Sequence, residues 1–259
     1  MSALTATIAG IGWWSDGMPD WAAARAFAAT GALPADAPAK PSPQLLAPNE
    51  RRRAPPSVLV ALEVALAACR DAGRDPASLP SVFASTHGDL GITDYMCATL
   101  AQAPADISPT KFHNSVHNAA AGYWTIGSGC MRTTTAISAH RASFAQGLLE
   151  AMTQLATDAE AVLLVGYDTA AAGLLGTVTR SEGLLGAALV LARDGAGMRV
   201  SASLQDGDAP EANGSLSARA HGNAMAPMLP LFDALAAGAP SVALHAGPGR
   251  RLALDLAHG

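Results

Sequence analysis

Short strand-forming runs alternate with longer helix-forming stretches along this chain, and that alternation constrains its fold more than any other feature. Val82-Phe83-Ala84-Ser85, Thr133-Thr134-Thr135-Ala136 and Val162-Leu163-Leu164-Val165 read as strands, with helical stretches at 57–72 and 138–157. The order implies a mainly parallel sheet with helices on both faces. The 57–72 stretch follows Pro55-Pro56 and stops at Gly73, as helix start and stop chemistry requires. Its apolar residues fill every side, so this helix is expected to be buried all round. In 138–157, Phe144, Leu148, Met152 and Leu155 share one face, with His140, Arg141 and Glu150 elsewhere. Five prolines between 31 and 50 predict an irregular excursion. Turn formers at 206–214 mark a loop, after which 227–237 reads as a helix and 241–245 and 251–256 as closing strands. No internal repeat is visible.

Composition narrows the class. The 259 residues are 50% hydrophobic and 14% charged, enough to bury a large core and to suggest apolar surface reserved for another subunit. An alanine-rich composition explains the same excess equally well. The most apolar stretch, 161–176, is interrupted by Asp168, and the amino terminus lacks a basic region before an apolar run, so the chain is expected in the cytoplasm without a membrane span. Cys69, Cys97 and Cys130 have neither the count nor the spacing of a disulfide framework or a zinc knuckle. A net charge of -5, with one small basic cluster at Arg51-Arg52-Arg53, gives no nucleic-acid footprint.

Several segments, in the same order along the chain, resemble the amino-terminal half of β-ketoacyl synthases. They are Thr7-Ile8-Ala9-Gly10-Ile11-Gly12 as first strand and glycine turn, Arg51-Arg52-Arg53 with the helix behind it, and Val82-Phe83-Ala84-Ser85-Thr86-His87-Gly88 as second strand and turn. The run from Ser108-Pro109 through Lys111-Phe112-His113-Asn114-Ser115-Val116-His117-Asn118 resembles the segment that reaches a dimer partner and then enters a buried helix. Val162 to Asp168 resembles the strand after the nucleophile helix. The HNSVHN and AxxGYW strings resemble a short branch, the chain-length factors of aryl polyene and xanthomonadin type pathways. The likeness covers roughly residues 1–195 of what is expected to be a single thiolase-like domain, 1–259, with 196–259 adding closing strands and a helix.

The resemblance implies a thiolase-like α/β fold and a non-catalytic subunit that pairs with a full-length β-ketoacyl synthase and shapes its acyl tunnel. The family's Thr-Ala-Cys-Ser type motif is met by Thr135-Ala136-Ile137-Ser138, so Ile137 falls where a nucleophilic sulfur is expected, at the start of a helix whose dipole would lower a thiol pKa. An isoleucine cannot attack a thioester. A full ketosynthase is about double this size, and its second half supplies the two histidines that work with the cysteine; His221-Gly222-Asn223-Ala224 is read as a chance likeness to that half. No cofactor is implied, and the acyl chain on acyl carrier protein would be bound mainly by the partner. Lys111, Phe112, His113, His117 and Asn118 are implied to lie at the tunnel or interface, and Thr134 on a strand that pairs across the dimer axis.

Other chemistry is open to the same residues. His113 and His117 have the i, i+4 spacing of a zinc pair but lack the acid of an HExxH site, so no metal is expected. Cys130, in Gly127-Ser128-Gly129-Cys130, offers an alternative: a small acyltransferase or hydrolase using Cys130 with His113 or His117. A homodimeric scaffold without substrate is a third reading. Ser138 reads as a helix N-cap, and His87 as a turn or interface residue.

Overall fold

The computed structural model describes residues 3–258. The first strand, β1, runs Leu4–Ser15 and leads into α1, Trp21–Thr30, capped by Asp20. After the irregular excursion come α2, Pro48–Arg53, and α3, Pro56–Asp71, both opened by a proline whose missing N–H costs nothing there. Then follow β2, Ser81–Ala84; α4, Leu90–Gln102; α5, Pro109–Asn114; α6, Ala119–Ser128; β3, Thr134–Ile137; and α7, Ser143–Thr157. The chain continues through β4, Ala161–Asp168; α8, Leu175–Val178; β5, Leu185–Ala192; β6, Met198–Asp206; α9, Ser215–Arg219; and α10, Leu229–Ala237. It closes with β7, Ser241–Gly247, and β8, Arg250–His258.

All eight strands form one sheet in the order β3-β2-β4-β5-β1-β6-β8-β7. The parallel pairing expected from strand-helix alternation is confined to β3, β2 and β4, whose connections are helical crossovers. The remaining neighbours pair antiparallel, making a mixed sheet. Along β4 the side chains alternate: Val162 and Leu164 face the core under α7 and α10, whereas Leu163, Val165 and Tyr167 face the core under α3 and α6. The first core is centred on Trp13, Phe144 and Phe232, the second on Phe83, Trp124 and Tyr167. Helix α3 buries ten of its sixteen residues, including Val60 and Val64 on opposite sides from Leu62 and Ala65, close to the all-round burial its composition predicts.

Two local expectations are corrected. Gly10 and Gly12 do not make a turn; they lie inside β1, where α3 crosses so closely that a Cβ on either would overlap the carbonyls of Ala68 and Val64. The helix expected from residue 138 begins at Ser143, because residues 138–142 form a sharp turn and a short 3-10 segment first. Among the described residues, no helix is long and apolar enough to cross a membrane.

Candidate functional site

The carboxyl ends of the parallel strands β2, β3 and β4 lie side by side, and the buried polar side chains Ser85, Asp168 and Asn223 meet there. Asp168, the last residue of β4, is fully buried. Its carboxyl group accepts from the Ser85 hydroxyl at 2.7 Å, the Thr86 N–H at 2.9 Å and the His87 N–H at 3.3 Å. Ser85 Oγ in turn accepts from Gly88 N–H at 2.8 Å, closing the turn after β2. The buried Asn223 donates to the Asp168 and Glu182 carbonyls, tying the 220–225 loop to the end of β4. Burial pushes the Asp168 carboxyl above the usual carboxylate range, outweighing the opposing hydrogen bonds from Ser85 and Thr86. Burial also holds His87 below the ordinary imidazole value, against the attraction of Asp168 and with the help of nearby His140. His87 Nε2 lies 2.9 Å from Thr179 Oγ1.

The turn between β3 and α7 places His140 at φ 52°, the positive-φ non-glycine position among the described residues. Ser143 holds the turn, accepting from Ala139 N–H at 2.9 Å and donating to the His140 carbonyl at 2.7 Å. A strained residue at a strand-to-helix turn is where catalytic α/β folds present a side chain. His140, His87 and His221 line one open cleft of about 530 Å3 with Arg141, Arg180 and Glu182. The His221-Gly222-Asn223-Ala224 run, read from sequence as a chance match, is thus a wall of this cleft. No thiol lines it.

The sequence-derived site residues scatter. Ile137 is the last residue of β3, paired with Ala84 and packed against the core, not the first residue of a helix. The argument for a lowered thiol pKa at 137 therefore fails on geometry, and the residue at the sharp turn is His140. Lys111 lies on α5 with its ammonium 5.6 Å from the Tyr95 ring centre. Phe112 is 61% exposed, so it is not core. His113 packs edge-on against Tyr123. His117 lies beyond the end of α5, with Nε2 2.9 Å from the Ser85 carbonyl. The two histidines occupy different elements, so the shared face expected from their spacing does not form; no cluster of three or more metal-binding side chains occurs among the described residues. Asn118 precedes α6 without a side-chain cap. Thr134 is exposed on β3, its hydroxyl 2.9 Å from that of Ser81. Cys130 is buried, its Sγ donating to the Leu79 carbonyl at 3.4 Å. Leu79 precedes β2 and Ser85 follows it, so Cys130 and His117 lie at opposite ends of that strand, and the Cys130 dyad is not assembled.

Solved ketosynthases share this architecture. One is a ketosynthase in complex with its chain length factor from Xenorhabdus doucetiae: TM-score 0.75, 24% identity, 97% of this chain and 99% of that one covered. A type II polyketide synthase acyl-carrier protein in complex with its hexaketide-bound ketosynthase gives a TM-score of 0.74 at 12% identity, with 100% of both chains covered. The ishigamide ketosynthase/chain length factor gives 0.65 at 17%, covering 78% of this chain and 67% of that one. The fold is the thiolase-like fold of ketosynthases. The chain belongs to the beta-ketoacyl synthase N-terminal domain family, whose profile matches residues 21–250 and so runs through α10 and β7 to the start of β8. No curated protein sequence matches the chain significantly.

Proposed function

We propose that this chain is a non-catalytic, chain-length-factor-like subunit that pairs with a full-length β-ketoacyl synthase and shapes its acyl tunnel in type II polyketide or fatty-acid-like biosynthesis, of the aryl polyene type. The observation that carries the reading is β3. It ends the sheet, hydrogen-bonded to β2 on one side and open on the other, and is flanked by Ile126 and Met131, which are 80% and 95% exposed. An open, apolar-flanked edge strand is a template for strand pairing with a second chain. The strand-turn-helix that follows it carries His140 and no thiol, so covalent condensation falls to the partner. The likeness to a structure described as a ketosynthase with its chain length factor supports the same assignment. Acyl carrier protein then meets this subunit only indirectly, through acyl chains carried on the partner.

Co-expression with candidate ketosynthases, followed by size-exclusion chromatography and mass spectrometry, tests the proposal. Thr134→Pro removes a ladder donor from β3 and is expected to abolish co-elution while leaving this chain's own helix content unchanged. A stable, monodisperse monomer at high concentration that ignores every ketosynthase would contradict it.

A further inference from the structure

We infer that Met131 is a modification site: peroxide converts its thioether to the sulfoxide in the free subunit, and the sulfoxide disfavours pairing at β3. The inference rests on the pairing reading proposed above and adds to it the residue through which pairing responds to oxidants. Accessibility selects this methionine. Met131 is 95% exposed, whereas Met18, Met96, Met152, Met225 and Met228 are buried and Met198, on β6, is half-buried against the core. An oxidant must reach sulfur to react with it, so among the described methionines Met131 is the one open to dissolved peroxide.

The backbone on either side of Met131 is fixed, so the side chain is presented at a defined place. Gly129 ends α6 at φ 67°, and the next residue, Cys130, is held twice: its N–H donates to the Thr125 carbonyl at 3.0 Å and its buried Sγ to the Leu79 carbonyl at 3.4 Å. On the other side, Arg132 N–H donates to Cys130 Sγ at 3.4 Å and the Thr133 carbonyl accepts from Ser81 N–H at 3.0 Å. Met131 therefore stands at the crown of a turn pinned at both ends, just before β3, the strand with the open outer edge. Together with Ile126, in the last turn of α6, it gives that edge its apolar flank. An exposed apolar pair beside an open edge is where a second chain has most to gain on pairing.

The chemistry is a single oxygen transfer. A sulfur lone pair attacks one oxygen of hydrogen peroxide, the O–O bond breaks, sulfur is oxidised to the sulfoxide and the peroxide is reduced to water. The flexible apolar thioether becomes a strong hydrogen-bond acceptor. Burying that oxygen without a donor against a partner's apolar surface carries a cost that the thioether does not. Pairing in turn covers the sulfur, so the modification acts on the free subunit and the assembled pair resists it. A methionine sulfoxide reductase restores the thioether.

Hydrogen peroxide treatment of the full chain, alone and in complex with its co-expressed ketosynthase, followed by peptide mass mapping and size-exclusion co-elution, tests this. The expected result is oxidation of Met131 ahead of the other described methionines in the free chain, slower oxidation of Met131 in the complex, and pairing weakened about tenfold once it is oxidised, as one unsatisfied buried polar group costs. Met131→Gln, polar without peroxide, should weaken pairing untreated. Whatever its untreated strength, pairing by Met131→Leu should not change with peroxide, which also separates the effect from oxidation of the exposed Cys97 on α4. Equal oxidation of the buried methionines, the same Met131 rate free and in complex, or undiminished pairing by the oxidised chain overturns the inference. Pairing that occurs but ignores Met131 oxidation overturns this inference alone; an untreated chain that pairs with no ketosynthase overturns the pairing reading and this inference together.

Discussion

At the scale of single residues, the polar site rests on two groups whose titrations oppose each other. His87 is held neutral below its ordinary value of 6.5, so the folded state binds fewer protons than the unfolded chain, and His87 costs stability as pH falls below about 6.5. Burial pushes the Asp168 carboxyl above the usual range, so its contribution is present at low pH and lost as pH rises through its folded value. Replacing His87 with Gln is expected to flatten the acid limb of stability below 6.5, read by chemical denaturation across pH; a variant with the wild-type slope there would show that His87 does not titrate in the fold. Phe112 belongs to the same scale. On the proposed pairing Phe112, exposed on α5, reaches the partner's tunnel, where each buried methylene gains only about 0.8 kcal/mol before a clash cancels it. Phe112→Ala should lengthen the products of the reconstituted pair and Phe112→Trp shorten them, with dimer yield little changed. Product profiles that do not move in variants that still assemble would remove Phe112 from the tunnel.

At the scale of elements, close approach explains what sequence periodicity could not. Gly10 and Gly12 read as a turn because glycine punctuates chains, yet both serve the crossing of α3 over β1. Gly12→Ala is expected to destabilise the fold by about 3 kcal/mol, since its Cβ meets a backbone carbonyl rather than a side chain that can rotate away; thermal unfolding with an unchanged midpoint would contradict that packing. Strand–helix alternation made α3, β2 and β4 legible, because proline and glycine bound α3 and β2 while β4 is an apolar run closed by Asp168. The beginning of α7 was not legible. Residues 138–142 carry helix-compatible side chains, and nothing local announces the positive φ at His140 or the Ser143 hydroxyl that stabilises the turn. The same misplacement of the helix start put Ile137, the last residue of β3, at the turn that His140 occupies.

At the scale of the whole molecule, the fold family was readable from several weak motifs in a fixed order, whereas the site was not. Asp168, Ser85, His87 and Asn223 are distant in sequence and meet only because β2 and β4 are parallel neighbours and the 220–225 loop folds over their ends. The one signal available was an aspartate closing an apolar strand. Spacing misled at His113 and His117, where a break between α5 and α6 separates residues that a continuous helix would align. The eight-stranded sheet leaves β3 open at one end, and the central claim is that a ketosynthase completes it there. Native mass spectrometry of the chain co-purified with its ketosynthase tests this most directly. The expected species is a one-to-one heterodimer that disappears with Thr134→Pro; the separate monomers, or a homodimer of this chain that excludes the ketosynthase, would contradict it.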